Sequence, residues 1–191
     1  MAELERVILE DEVLRDAFQM ETRLFSFAEK VRIFHLLKEA NVQQEKVLAA
    51  AQAMATAGAD EVNLADTTGI GDLRQIRSLI RKIRRELPRV DLSLHLHDTR
   101  GLGLANMFVG YEEGVQIFDL CAGGLDGCPF VKGAAGNVPT EDAVHRFGAI
   151  GDDTGIDLAK MGKVVVELEA MLERHLPGRM SRALRARGFY T

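Results

Sequence analysis

The chain has 191 residues, of which 47% are hydrophobic and 28% are charged, and its formal net charge is −5. This composition is typical of a folded globular domain, and the acidic balance gives no indication of a nucleic-acid-binding surface. No apolar run approaches the roughly 20 residues that a membrane span needs, and the acidic first residues do not resemble a signal peptide. We therefore expect a cytoplasmic protein that binds neither membranes nor nucleic acids, with Cys121 and Cys128 reduced.

Strand patterns and helix patterns alternate along the chain. The apolar periodicity and capping signals predict strands at 7–11, 61–65, 90–97 and 115–120, and helices starting near residues 26, 43, 73, 102, 140 and 157. The last of these helices is predicted to run to about residue 175. Strands that alternate with helices indicate parallel strands joined by helical crossovers.

The helix that follows Asp72 is strongly two-sided. Its predicted core positions are Leu73, Ile76, Leu79, Ile80 and Ile83. Its opposite face carries four arginines, at positions 74, 77, 81 and 85. Such a run can form an anion site, but a solvated helix face is the interpretation we favour.

The sequence LHLHDTRG at residues 94–101 places two histidines at the end of a predicted strand. Alternation along the strand puts Ser93, His95 and His97 on one face and the leucines on the other. The histidine face would line a barrel interior or the second face of an open sheet. Two imidazoles at i and i+2 can both reach one cation. They could instead be a hydrogen-bonded core pair, but the position at a strand end favours a metal site.

Other polar residues follow the predicted strands. Arg15 and Asp16 come after the first strand, Asp66 and Thr67 after the second, and Asn137 closes a glycine-rich loop. Together with the two imidazoles, a carboxylate and an amide oxygen would form a mixed nitrogen and oxygen site. Such a donor set favours Mg²⁺ or Mn²⁺ and leaves Zn²⁺, Co²⁺ and Fe²⁺ open.

Five motifs carry a resemblance to a known family. In chain order they are LRDAFQME, DTTGIGD, HLHDTRGLGLAN, AGGLDGCP and KGAAGNVPTED. They resemble the motifs of the 3-hydroxy-3-methylglutaryl-CoA (HMG-CoA) lyases, members of the metal-dependent pyruvate-carboxyltransferase-like TIM barrels. The resemblance implies an enzyme that cleaves HMG-CoA, or a similar 3-hydroxyacyl-CoA, to acetyl-CoA and acetoacetate by retro-Claisen chemistry. This reaction belongs to leucine catabolism and ketone body formation.

The resemblance also implies roles for individual residues. The implied metal ligands are Asp16, His95, His97 and Asn137. The implied substrate contacts are Gln19, Thr67 and Glu141. The implied catalytic residues are Arg15, Asp66, His95 and Cys128.

The chemistry implied for three of these catalytic residues is specific. Arg15 would hold the substrate carbonyl and stabilise the enolate oxygen as negative charge develops. Asp66 would help to remove the proton of the C3 hydroxyl, and Cys128 would deliver or relay a proton to the acetyl-CoA carbanion. Arg100 stands where the resembled pattern has tyrosine, and Asp126 interrupts a glycine pair. These differences leave the exact substrate open. A related acyltransferase or aldolase is the alternative activity.

The middle of the barrel has no counterpart in the sequence. A first strand–helix unit at 1–41 is followed directly by what resembles the C-terminal half, at 43–177, and then by an arginine-rich tail at 178–191. We therefore expect one partial TIM-barrel domain of about five parallel strands, whereas a complete barrel takes about 250 residues. Its open edges would be covered by a homodimer or larger assembly, by rearranged helices, or not at all. An inactive homologue is the third functional alternative.

Overall fold

The computed structural model describes residues 8–11, 44–125 and 136–186. In these ranges the strands are β1 (Ile8–Asp11), β2 (Glu61–Asp66), β3 (Asp91–Leu96) and β4 (Ile117–Leu120). The helices are α1 (Gln44–Thr56), α2 (Leu73–Glu86), α3 (Gly103–Glu112), α4 (Thr140–Ala149), α5 (Leu158–Leu172) and α6 (Arg179–Ala186). None of these helices has the length and apolarity that crossing a membrane requires.

The strands form one parallel sheet in the order β1-β4-β3-β2. In a closed barrel the strands follow chain order around the ring, and the last strand pairs with the first. The observed order matches such a ring with no pairing between β1 and β2 among the described strands. The opening falls where the sequence lacks the middle strand–helix units. The α/β class and the partial barrel are thus confirmed, with four described strands in place of about five. Residues 137–139 contribute only two isolated bridges, from Asn137 to His97 and from Pro139 to Cys121.

Helix α2 begins at the predicted cap. The Asp72 side chain accepts the backbone N–H groups of Arg74 and Gln75, and the Gln75 side chain accepts the Asp72 N–H, which makes a capping box. Four of the five predicted core positions are buried against the sheet. The prediction for Leu73 is wrong: it is 40% exposed, because it lies in the first turn and lines an open groove beside α3.

The arginine face of α2 lies against the C-terminal end of α3. Arg77 pairs with Glu112 at 2.6 Å, and Arg81 pairs with Glu113 at 2.7 Å. The hydrogen bond from Arg81 holds the pKa of Glu113 below its usual range. These arginines are therefore part of an exposed ion-pair network, and each such pair contributes at most about 1 kcal/mol to stability.

The hydrophobic core lies between the sheet and the helices. The leucines at alternate positions of β3, Leu92, Leu94 and Leu96, all point into it. They share the core with α2 and α3 side chains and with Phe118 and Phe147. The predicted alternation of β3 is confirmed on its apolar side, so the polar positions of β3 face the opposite side of the sheet.

The C-terminal tail is helical over part of its length. Helix α5 ends at Leu172, short of the predicted position, and α6 follows. Asp142 anchors the first turn of α6 by accepting the N–H groups of Arg179 and Met180 at 3.1 and 2.7 Å. Only two α6 side chains, Ser181 and Leu184, are buried. Because the helix is short and its apolar stripe is minimal, the sequence pattern gave little indication of it.

Candidate active site

His95, in β3, and His97, directly after it, lie side by side at the carboxyl end of this strand, which is flanked by β2 and β4. Their ring centroids are 5.2 Å apart and the planes are nearly perpendicular, at 79°. His95 is 4% exposed and His97 is 5% exposed. The pairing predicted from the i, i+2 spacing is therefore present in the structure.

A column of polar side chains lies beneath His95 on the same face of the sheet. Asn63 Nδ2 donates to Ser93 Oγ at 2.8 Å and to Asp119 Oδ2 at 2.9 Å. All three side chains are buried. Asn63 and Asp119 were not predicted as site residues, although alternation within EVNLAD and IFDL places both on the same face as the histidines.

A backbone carbonyl orients the imidazole of His97. Its Nδ1 lies 3.1 Å from the carbonyl oxygen of Asp66. Since a carbonyl only accepts, Nδ1 carries the proton and Nε2 carries the lone pair. This arrangement is common in metal sites, where one ring nitrogen is held by the protein and the other binds the ion.

Asn137 lies opposite His97 in the backbone. It faces His97 across an antiparallel bridge and is 1% exposed. Neither its Oδ1 nor its Nδ2 has a hydrogen-bond partner. Burying an amide without partners costs on the order of 1–3 kcal/mol by protein mutational data. A buried, unpaired amide at this position indicates a place for a ligand.

The residues at this edge of the sheet fit a divalent cation in part. Two imidazoles lie together there, and the backbone bridge sets Asn137 opposite His97. Imidazole and amide oxygen donors suit a borderline or hard cation. Within 44–125 and 136–186, no group of three or more His, Cys, Asp or Glu side chains is arranged to hold a metal ion. The expected carboxylate ligand, Asp16, lies outside the described residues, as do Arg15, Gln19 and Cys128.

Asp66 holds the loop that follows β2. Its carboxylate accepts the backbone N–H of Ile70 at 3.2 Å and that of Gly71 at 2.8 Å. A Cβ atom on Gly71 would lie 2.9 Å from Asp66 Oδ2, so a larger residue would disturb this contact. Thr67 is half-buried beside it. The structure thus brings Asp66 and Thr67 to the mouth of the site, with the Asp66 carboxylate engaged in loop hydrogen bonds.

Glu141 holds the turn that follows β4. It is fully buried, and its Oε2 accepts the N–H of Gly123 at 2.9 Å. Gly123 has a φ of 67° and lies in the short 3₁₀ turn at the start of the glycine-rich loop. The structure therefore places Glu141 at the base of the loop on which Cys128 is expected to act.

A further set of contacts joins the loop after β3 to α6 and to the loop after β2. Arg179 Nη1 binds Asp98 Oδ2 at 2.9 Å, and this bond raises the pKa of Arg179. Arg100 Nη1 donates to the carbonyl of Thr68 at 2.8 Å. Arg100, which differs from the resembled pattern, thus ties two loops together at the mouth of the site. Sequence analysis assigned Arg179 only to a tail and missed this contact.

Comparison with known proteins gives a consistent set of relatives. A family model described as HMGL-like matches residues 40–166. (R)-citramalyl-CoA lyase of Chloroflexus aurantiacus is 42% identical over 142 residues, which make up 74% of this chain and 45% of that protein. The solved HMG-CoA lyase of Bacillus subtilis is 32% identical with a TM-score of 0.72, and the match covers 76% of this chain and 49% of that one.

A structure with a bound ligand is also similar. An HMG-CoA lyase from Acinetobacter baumannii, in complex with coenzyme A and 3-methylmalate, is 35% identical with a TM-score of 0.70. That match covers 74% of this chain and 47% of the other. The chain thus spans about half the length of each of these relatives.

Proposed function

The chain belongs to the HMGL-like family, and on this premise we propose that it acts as a divalent-metal-dependent carbon–carbon lyase on 3-hydroxyacyl-CoA esters. The observation that carries the proposal is the buried group of His95, His97 and Asn137. Two imidazoles and an amide with no hydrogen-bond partner of its own lie together at the carboxyl end of the sheet. This is the edge at which parallel α/β proteins bind ligands.

The cation would be held by His95, His97 and Asn137, with Asp16 as the fourth ligand. When bound, it would supply positive charge beside the substrate oxygens, which favours ionisation of a hydroxyl and stabilises an enolate. Mg²⁺ and Mn²⁺ suit this mixed donor set, and Zn²⁺ and Co²⁺ are the alternatives. The His97 imidazole would present Nε2 to the cation, because its Nδ1 is held by the Asp66 carbonyl.

The protein side chains would carry the proton transfers. In the proposed direction, the C3 hydroxyl loses its proton, the C2–C3 bond breaks, and the released acetyl-CoA carbanion gains a proton at C2. Asp66 is the proposed acceptor, and it would have to exchange loop hydrogen bonds for contact with substrate. Cys128 is the proposed donor, Arg15 would stabilise the enolate oxygen, and Thr67, Gln19 and Glu141 would contribute substrate contacts.

Two substrates have support. HMG-CoA would yield acetyl-CoA and acetoacetate, and the motif resemblance favours it. The 42% identity to a protein named (R)-citramalyl-CoA lyase favours citramalyl-CoA as the second candidate. Both are 3-hydroxyacyl-CoA esters with a distal carboxylate, so the same reaction serves both. Arg100, near the mouth of the site, departs from the lyase pattern in its chemistry, and so does Asp126, which lies outside the described residues.

A substrate panel tests the proposal. The purified chain is incubated with HMG-CoA or citramalyl-CoA in the presence of Mg²⁺, Mn²⁺ or EDTA, and release of acetyl-CoA is measured. We expect release with at least one ester, dependent on metal and absent from the His95→Ala/His97→Ala variant. Condensation of acetyl-CoA with a 2-oxo acid in the same panel would instead support the acyltransferase alternative. A folded chain without any of these activities would contradict the proposal.

A further inference from the structure

We propose that Asp119 is the positioning residue for His95, holding the Nδ1 proton of the imidazole so that Nε2 is the nitrogen offered to a cation. This inference rests on the metal site of the proposed function and assigns it a member that the motifs do not include. It starts from the sheet register. His95 on β3 faces Asp119 on β4 as a direct neighbour in the parallel ladder.

The distance between the two side chains supports an electrostatic contact. His95 Nδ1 lies 3.6 Å from Asp119 Oδ2, and both side chains are at most 5% exposed. Nδ1 has no hydrogen-bond partner at this separation, since 3.6 Å is slightly too long. A small rotation of the ring would close the gap, and catalytic hydrogen bonds are often long before the ligands bind.

Asn63 fixes the carboxylate in the required orientation. Its Nδ2 donates to the same oxygen, Asp119 Oδ2, at 2.9 Å. Asn63 is itself held by Ser93, which donates to Glu61 Oε1 at 2.5 Å. A donor on one side of Oδ2 leaves that oxygen a further lone pair for the imidazole N–H. The chain from Glu61 to Asp119 therefore aims an acceptor at His95.

Among the motif residues that the structure describes, none supplies this orientation. His97 is oriented by the carbonyl of Asp66, but a backbone carbonyl cannot serve His95 in the same way, because its Nδ1 faces the neighbouring strand's side chain. With Nδ1 protonated, Nε2 keeps the lone pair that a cation requires. Loss of a carboxylate that orients a ligand histidine typically costs 10–100-fold in metal affinity.

The test combines Mn²⁺ binding with the tautomeric state of His95. In metal-free protein labelled with ¹⁵N-histidine, the neutral form of wild-type His95 should carry its proton on Nδ1. Asp119→Leu should move the proton to Nε2 and weaken Mn²⁺ binding about 10–100-fold. Asp119→Asn keeps an oxygen acceptor without the charge, so it should retain the tautomer and show an intermediate affinity.

Controls separate positioning from folding. Glu169→Gln also alters a buried carboxylate, but one in the α5–α6 contact, and it should leave the Mn²⁺ affinity and the His95 tautomer unchanged. If Asp119→Leu fails to fold, the Mn²⁺ affinity of Asp119→Asn still tests the inference, because an intermediate affinity supports it. Wild-type Mn²⁺ affinity in Asp119→Asn, or an unmoved proton in Asp119→Leu, would overturn the inference. If wild-type protein binds no Mn²⁺, the proposed cation site fails, while the ¹⁵N shifts still report whether Asp119 holds Nδ1.

Discussion

His97 and Asn137 lie opposite each other in an antiparallel bridge that brings two predicted metal ligands from distant parts of the chain together. The Asp98 N–H donates to the Gly136 carbonyl at 3.0 Å, and the Val138 N–H donates to the Leu96 carbonyl at 3.1 Å. Two backbone hydrogen bonds thus place the amide beside the imidazole. A full strand is not needed for this purpose.

The histidine pair should be required for cation binding. We expect His95→Ala/His97→Ala to lose Mn²⁺ binding in equilibrium dialysis, because two of the four proposed ligands are removed. His145→Ala is the matched control, since His145 is exposed on α4, and it should bind as the wild-type protein does. Undiminished metal occupancy in the double variant would refute the proposed site.

The two cysteines should respond differently to substitution by serine. Cys121 is fully buried in an apolar cluster with Val165 and Leu176, so Cys121→Ser should cost stability, on the order of 1–3 kcal/mol, with little change in turnover. Cys128→Ser should lower kcat far more than it raises KM, because a proton donor acts chiefly in the transition state. Steady-state kinetics and urea unfolding measure the two effects. Equal losses of activity would remove the case for a catalytic thiol.

Gly103 should be intolerant of a side chain. A Cβ atom there would lie 2.7 Å from Val138 Cγ2 and 3.0 Å from the His97 carbonyl oxygen. Gly103→Ala should therefore displace the backbone beside the histidines, with a loss of about 1–3 kcal/mol in unfolding free energy and weaker Mn²⁺ binding.

Gly148→Ala provides the comparison for Gly103. Gly148 also lies in a helix, but a Cβ atom on it would meet nothing within 4 Å. Alanine there should stabilise the protein by up to about 1 kcal/mol. Thermal and urea unfolding of both variants measure the difference. Similar stability changes in the two would contradict the close packing at Gly103.

Acidification should weaken the contact between α5 and α6 through Glu169. Burial raises the pKa of this carboxyl, but the Leu176 N–H, Arg185 and His175 outweigh it, so the pKa lies below its ordinary 4.5. A depressed pKa in the folded state contributes stability above the unfolded value, and that contribution is lost as the pH falls through the folded value.

The consequence is a measurable difference in pH dependence. As the pH falls below about 5 and through the folded pKa, which lies below 4.5, wild-type protein should lose more unfolding free energy than Glu169→Gln, which lacks the titrating group. The exposed Glu167, on the same helix, supplies the control: Glu167→Gln should retain the wild-type slope. If Glu169→Gln kept the wild-type dependence of unfolding free energy on pH, another titrating group would be responsible for that dependence.

Activity should depend on assembly. Among the described strands, β1 and β2 are the unpaired edges of the sheet, and a catalytic group tolerates only about 0.5 Å of misplacement. We expect a homodimer or larger species by light scattering, with acetyl-CoA release confined to that species. A monomer that releases acetyl-CoA from HMG-CoA with a metal ion would show that the open sheet suffices.

Much of the secondary structure was predictable from local pattern. The cap at Asp72, the helix over 44–56 and the alternation of β3 match the prediction closely. These features depend on residues within one or two turns of each other, and short-range periodicity encodes them. The burial of Leu73 was predicted wrongly, because the burial of a helix end depends on what packs beside it. Helix α6 was not predicted, because it is short and buries only two side chains.

In the candidate site, too, some features follow from local sequence and others depend on the tertiary structure. Alternation in HLHD predicts that His95 and His97 share a face, and motif resemblance names Asn137 as their partner. Only the register between β3 and β4 places Asp119 beside His95, and only the folded loops engage Asp66 with Gly71 and Glu141 with Gly123. Those contacts join segments by hydrogen bonds and packing whose partners no local pattern specifies, so the tertiary structure alone decides them.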